Sequence, residues 1–480
     1  MPSRKGAKKD LLFKQIKIGN VTIRNRFMRS ATHEWMSEDD GTPKPQLGGL
    51  LETLSKGGVG LIVTGYAYVN PKGKASKSQN AMYKDDLIEH YKPIVDRVHR
   101  HGAKIFMQLV HGGRQAEEGL AKFGECIGPS AVPDLINDMR PREMTVEEIQ
   151  DTIGDFVSAA RRAKAAGFDG VQLHVAHGFL LSSFISPHTN RRTDEWGGSI
   201  DNRARIIVEI LRGIREKVGE DFPVTAKMNA TDGFAEEGRG LHVGEAADIA
   251  KLLAAEGLKA VEVSAGIWES EIKSSKTGIV DEASEAYFLD YAVRFKAEVD
   301  IPVMCVGGFR SKDVMETALR DGKCDMISLS RPLIREPDLV EKFRTGKSDR
   351  AECISCNKCF DDTGVKCHYK MEPIKEKSLP VPLRSSLATI EGGKEMSLPI
   401  VTTSGPGVMP EAAASRGSKS RRKRRVQRRK NIMALRRPLK KIVRRAKKLR
   451  PLRKRLLKRH KIKRPGKKLV RKLRPRKKRR

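Results

Sequence analysis

"GFDGVQLHVAHGF", residues 167–179, decides how this chain is read. From Gly170 to His177 it is mostly apolar and β-branched, which predicts a buried strand, and Gly178 marks its exit. The stretch before it, "TVEEIQDTIGDFVSAARRAKAAG" (145–167), repeats its apolar residues three and four apart. That spacing predicts a helix covering one face of a sheet. The strand ends in His174 and His177. Positions i and i+3 of an extended chain face opposite sides, so the two rings converge only if the chain turns at Ala176 or His177.

Working outward, seven more strands are expected: "NRFMRSAT" (25–32), "GLIVTGYAYV" (60–69), "KIFMQLVH" (104–111), "PVTAKMNA" (223–230), "AVEVSAG" (260–266), "PVMCVGG" (302–308) and "MISLSR" (326–331). Helical patterns such as "GEAADIAKLLAAEG" (244–257) lie between them. Eight β-then-α units predict an α/β fold, a (β/α)₈ TIM barrel spanning residues 10–370. A doubly wound sheet is the alternative, but no GxGxxG turn follows the first strand. "LLFKQIKIGNVTIRNR" (11–26) alternates about Gly19-Asn20 and reads as a hairpin capping the barrel bottom.

The net charge of +36 misrepresents the body. Residues 416–480 hold 37 Lys and Arg and no Asp or Glu, which leaves 58 basic against 59 acidic residues in 1–415. Residues 371–415, rich in Pro, Ser, Gly and Thr, read as a linker. No apolar run is long enough for a membrane helix, and the basic first residues lack the apolar stretch of a secretory signal. Seven cysteines, an odd number, fit a cytoplasmic protein with reduced thiols better than a disulfide framework.

In a barrel of this kind the chemistry sits at the C-terminal ends of the strands. Those ends carry Ser30, Ala31, Thr32 and His33; Gly65 and Tyr66; Gln108 and His111; His174 and His177; Lys227; Gly307 and Gly308; Ser330 and Arg331. Glycines ending strand seven and an arginine ending strand eight suit a phosphate. Gln108 can donate to and accept from a heterocycle edge. Lys227 reads as a Schiff-base nucleophile, a phosphate ligand or a cation beside an anionic ring. Together they point to flavin mononucleotide (FMN). A metal on His174 and His177 would need a further ligand that the spacing does not supply, so no metal is assigned there. Two N–H donors aimed at a substrate oxygen is the preferred role.

"IRNRFMRSAT", "MQLVHGGRQA", "FDGVQLHVAHGFLLSSFISPHTNRRTDEWGGSIDNRARI", "VGGF" and "LSRPLIREP" resemble the old yellow enzyme family of FMN-dependent oxidoreductases. The likeness is greatest to the bacterial branch with the barrels of dienoyl-CoA reductase and trimethylamine dehydrogenase. The resemblance implies that Ser30, Ala31, Thr32 and His33 line the flavin, that Gly65 packs by its ring, and that Gln108 bonds its pyrimidine edge. It implies Lys227 near N1 and O2, and Gly307, Gly308, Ser330 and Arg331 on the phosphate. His174 and His177 match the pair that binds an electron-withdrawing substrate oxygen. NAD(P)H would supply electrons, and an enone, enoyl thioester or nitro compound would accept them. An oligomer of unspecified order is expected.

Two departures matter. Many relatives carry a proton-donating Tyr where this chain has Phe179; Tyr66 and Tyr68 are replacements by position. "CISCNKCFDDTGVKC" spaces Cys353, Cys356, Cys359 and Cys367 more tightly than the iron–sulfur relatives. A [4Fe–4S] cluster, a structural zinc, and thiols merely packed beneath the barrel all remain open. The tail, with an apolar face through Leu435, Leu439, Ile442 and Leu449, suits nucleic-acid phosphates or an anionic membrane surface. A polycationic extension without a folded role and a shifted reading frame are its plain alternatives. The competing functional reading is a nucleic-acid-associated protein with a catalytically weak or redox-sensing flavin barrel.

Overall fold

The computed structural model describes residues 10–370 apart from 117–125, 135, 137, 237 and 361. The linker (371–415) and basic tail (416–480) expected from sequence lie outside the described residues. Eight parallel strands close on themselves: Phe27–Arg29, Leu61–Val63, Lys104–Val110, Gly170–Val175, Val224–Asn229, Ala260–Ser264, Val303–Val306 and Met326–Leu329. Closure is made where Ile327 pairs with Phe27 and Leu329 with Arg29. Parallel neighbours need a crossover rather than a tight turn. Helices supply it, among them Pro45–Lys56, Val146–Ala165, Ile200–Val218 and Val243–Ala255. The fold is the (β/α)₈ barrel read from the sequence.

Alternation along the strands makes two cores. Val224, Ala226 and Met228 join the large apolar cluster between strands and helices, while Lys227 reaches inward to Ser30 and Glu262. The barrel floor is a separate cluster of Met28, Leu61, Val63, Phe106, Ala260, Met304 and Met326. Ile18 and Ile23 close it from below on the hairpin Ile16–Ile18/Val21–Ile23, as expected. Val146–Ala165 starts on a capping box, with Thr145 Oγ1 accepting from Glu148 N and the Glu148 carboxylate accepting from Thr145 N.

The strands are shorter than the apolar runs. The run 60–69 breaks into Leu61–Val63 and Ala67–Tyr68, because side chains satisfy the backbone between them. Gly65 N donates to Glu34 Oε1 (2.7 Å), and Asn80 Nδ2 donates to Gly65 O (3.3 Å). The long middle motif turns out to be largely scaffold. Asn190 Nδ2 donates to Phe184 O and Trp196 O, both at 2.8 Å. Arg192 ties Asp194 to Met144 O, and Arg203 ties Ile185 O to Glu245. No helix among the described residues is long and apolar enough to cross a membrane.

Candidate active site

Strand register assembles the site. Parallel pairing sets Gln108 beside Gln172, His174 beside Lys227, and Lys227 beside Glu262. Their side chains form a buried polar layer above the apolar floor. Gln108 Nε2 donates to Gln172 Oε1 (2.7 Å), and Gln172 Nε2 donates to Glu262 Oε2 (3.1 Å). Ser30 Oγ donates to Glu262 Oε1 (2.5 Å), and Lys227 Nζ donates to Ser30 Oγ (2.8 Å) while lying 3.5 Å from Glu262 Oε1. Glu262 is fully buried, so this carboxylate is held only by its partners. Gln172 and Glu262 were missed from sequence because they sit mid-strand, one alternation below the rim.

Above the layer stands the histidine pair. The chain does turn at the strand end: His177 has φ 62° and Gly178 φ 85°. A left-handed histidine is a strained choice, and it is held by His177 N donating to Asn229 Oδ1 (3.2 Å). The turn brings the two rings to 5.2 Å, edge to face. His177 Nε2 lies 2.8 Å from Ser264 Oγ. Burial, with Lys227 adding to it, pushes His177 down to about 3 and His174 well below the usual imidazole range. Both rings are therefore neutral near pH 7, and each keeps one N–H to donate.

The pair overlooks a cavity of about 460 Å³ at the strand ends. Of the residues expected at the site, Ser30, Ala31, Thr32, His33, Tyr66, Gln108, His174, His177, Lys227, Gly308, Ser330 and Arg331 line it. Gly65 and Gly307 stand behind the wall. Gly65 is pressed against Glu34 and Thr32 O, where a side chain would collide, and Gly307 O accepts from Tyr287 N (2.9 Å). His111 belongs to the core instead. It is buried, pushed down to about 4 by desolvation, and its Nδ1 accepts from Gly113 N (3.0 Å).

The Ser30–His33 turn rests on a buried ion pair, Arg29 to Glu34 at 2.9 Å, with Arg29 also donating to Val63 O and Thr32 O. His33 Nε2 lies 2.9 Å from Ser76 Oγ, and burial pushes this ring down to about 4. Arg331 Nη1 donates to Lys276 O (2.6 Å) and Asn357 Oδ1 (2.7 Å), which fixes the plane of the guanidinium. Phe179 occupies the wall, its ring 4.7 Å from His174. Sequence reasoning also missed Trp35, Trp268 and Tyr287, which come from loops beyond the strand ends. Trp268 donates from Nε1 to Gln115 Oε1 (3.1 Å), and a loop aromatic two residues after a strand-end "SAG" was the available signal.

Cys353, Cys356, Cys359 and Cys367 line one small cavity of about 20 Å³. Burial pushes the Cys353 thiol up, and the Cys359 thiol up to about 12. Among the described residues no three Cys, His, Asp or Glu side chains stand together in an arrangement that holds a metal ion.

The main cavity does fit a flavin. Two lining residues carry buried polar atoms without a protein partner, His174 Nδ1 and Ser328 Oγ, and the layer beneath offers an amide and a cation. Residues 11–350 match the sequence profile of the NADH:flavin oxidoreductase / NADH oxidase family. The chain belongs to this family. The family uses FMN with NAD(P)H as the electron donor. The chain is 35% identical to an NADH oxidase of Thermoanaerobacter brockii, over 80% of this chain and 60% of that protein. It is 33% identical to an NADPH dehydrogenase of Bacillus velezensis, over 68% of this chain and 92% of that one. A solved structure of 2-naphthoyl-CoA reductase with 2-naphthoyl-CoA superposes with a TM-score of 0.68 at 30% identity, over 73% of this chain and 54% of that one. The chain thus spans little more than half the length of the NADH oxidase and the naphthoyl-CoA reductase.

Proposed function

We propose that this chain is an NAD(P)H:flavin oxidoreductase of the ene-reductase kind, with FMN in the barrel mouth. The acceptor is an electron-poor small molecule: an enone, an enoyl thioester or a nitro compound. The observation that carries this reading is the pair of buried, neutral histidines beside Lys227, with His174 Nδ1 unpartnered. Bound FMN supplies the acceptor for hydride from NAD(P)H and the donor of hydride to the activated alkene.

The residues of the chain do the rest. Ser30, Ala31, Thr32 and His33 wall the flavin, and Gly65 keeps that wall close to Glu34. Gln108 presents its amide to the pyrimidine edge, with Gln172 orienting it. Lys227 places a positive charge where reduction puts a negative one, and Glu262 limits its excess. Gly308, Ser330 and Arg331 hold the phosphate, and Gly307, expected there from the sequence, backs the wall instead. His174 and His177 donate N–H bonds to the acceptor's oxygen, where one such donor is worth roughly 10²–10³ in rate.

Two measurements test the reading. The purified full chain should carry tightly bound FMN, and Arg331→Ala should lose it on gel filtration; equal retention sinks the phosphate assignment. His174→Ala should slow flavin reoxidation by an enone far more than flavin reduction by NAD(P)H. Equal slowing of both half-reactions, at full flavin occupancy, would remove the polarising role.

The tail supports a second activity on the same chain rather than a rival one. With 37 basic residues in 65 and no acidic ones, residues 416–480 are inferred to bind polyanionic surfaces such as nucleic acid.

A further inference from the structure

Reduction of an alkene consumes a proton as well as a hydride, and the Phe179 ring has none to give. We propose that Tyr66 donates this proton, to the carbon next to the one that receives hydride. The inference rests on the ene-reductase reading above.

Tyr66 sits in the break between Leu61–Val63 and Ala67–Tyr68, next to the glycine that Glu34 and Asn80 draw out of the sheet. Its side chain lines the cavity among the groups that matter. Its ring centroid lies 5.0 Å from His33, 5.5 Å from Phe179 and 6.2 Å from His174. The other two tyrosines of this region are placed differently. Tyr68 stacks on Tyr83 at 5.5 Å within the core and does not line the cavity. Tyr287 packs on Phe288 and Gly308, without a ring contact to either histidine.

The Tyr66 hydroxyl also has a supply line. It lies 3.2 Å from Ser76 Oγ, which lies 2.9 Å from His33 Nε2, itself 3.2 Å from Lys77 O. Ser76 is half-buried and its neighbour Lys77 is exposed, so the Ser76 hydroxyl lies near the protein surface. Burial pushes the phenol up to about 12, so it keeps its proton through neutral pH.

The step balances without a further reductant or oxidant. Hydride arriving at the β-carbon leaves an enolate held by His174 and His177. The enolate electron pair forms the new C–H bond at the α-carbon as the Tyr66 O–H bond breaks. The tyrosinate recovers a proton through the Ser76 hydroxyl, and water at the surface replaces it.

The test is stopped-flow reoxidation of the reduced, flavin-loaded enzyme by 2-cyclohexenone and by a quinone, which needs no C–H bond. Tyr66→Phe should slow the enone reaction about 10²-fold or more, and the quinone reaction only a few-fold. Tyr66→Phe with Phe179→Tyr should restore the enone rate to within about tenfold, since it moves the phenol across a 5.5 Å ring contact. An unchanged enone rate in Tyr66→Phe overturns the proposal, as does equal slowing with both acceptors, which marks a structural role. A parent enzyme that reacts with quinone but with no enone overturns the ene-reductase reading itself.

Discussion

Changing Glu262 to Gln would remove one charge from the centre of the barrel. The carboxylate is fully buried and accepts from Ser30 Oγ at 2.5 Å and Gln172 Nε2 at 3.1 Å, with Lys227 Nζ at 3.5 Å. Gln has the same shape but only one acceptor, so an N–H would confront a donor on Ser30 or Gln172. Lys227, also buried, would lose its counter-charge. Breaking a buried pair from one side costs about 3–5 kcal/mol. An unfolding entropy of about 2.1 cal/mol/K per residue gives the barrel roughly 0.8 kcal/mol/K, so the Tm should fall by about 5 °C. Removing both charges, in Glu262→Gln with Lys227→Met, leaves no uncompensated charge and should recover at least half of the loss. The assay is thermal and urea unfolding of the parent, both single variants and the double variant, at matched flavin content. A Tm change under about 1 °C for Glu262→Gln, or a double variant that loses the sum of the singles, would refute the claim that this pair is held by mutual compensation.

Three further outcomes are expected. Because His177 is pushed down to about 3 and His174 well below its usual range, the enone half-reaction should show no acid limb between pH 8 and pH 5; a limb near pH 6.5 would mean that a histidine of the pair titrates normally. The same depressed values, with His33 at about 4, make the unfolded chain take up protons that the folded chain refuses. Stability should be at its plateau above about pH 6.5 and fall on acidification toward pH 4, and urea midpoints that are flat across that range would contradict the burial of these rings. Deleting residues 416–480 should leave flavin content unchanged and abolish a steeply salt-dependent retention on heparin or nucleic acid; salt-insensitive retention, or loss of flavin, would count against a separate polycationic tail.

The alternation of apolar strands and helical repeats carried the barrel, its hairpin floor and the strand ends where the site lies. It did so because a parallel barrel buries both faces of every strand and places its loops on one rim. Twelve of the expected site residues line the cavity for that reason. His111 was misplaced by the same logic. It too follows a strand end, but its ring accepts from Gly113 N and does not line the cavity, because a strand end fixes position along the barrel axis rather than side-chain direction.

What the sequence determined by itself was the order of elements, the residue types at the rim and the charge divided between body and tail, all properties that local pattern and composition fix. What only the tertiary structure decided was which of those groups meet. Gln172 and Glu262 enter the site through cross-strand register, residues far apart in sequence set side by side by parallel pairing. His177 reaches His174 through a left-handed turn that Asn229, from the next strand, holds in place. Tyr66 enters the cavity because Glu34 and Asn80 take the backbone of Gly65 out of the sheet. Each depends on closing the barrel, which brings partners from distant segments within hydrogen-bond range, and no local pattern encodes that distance.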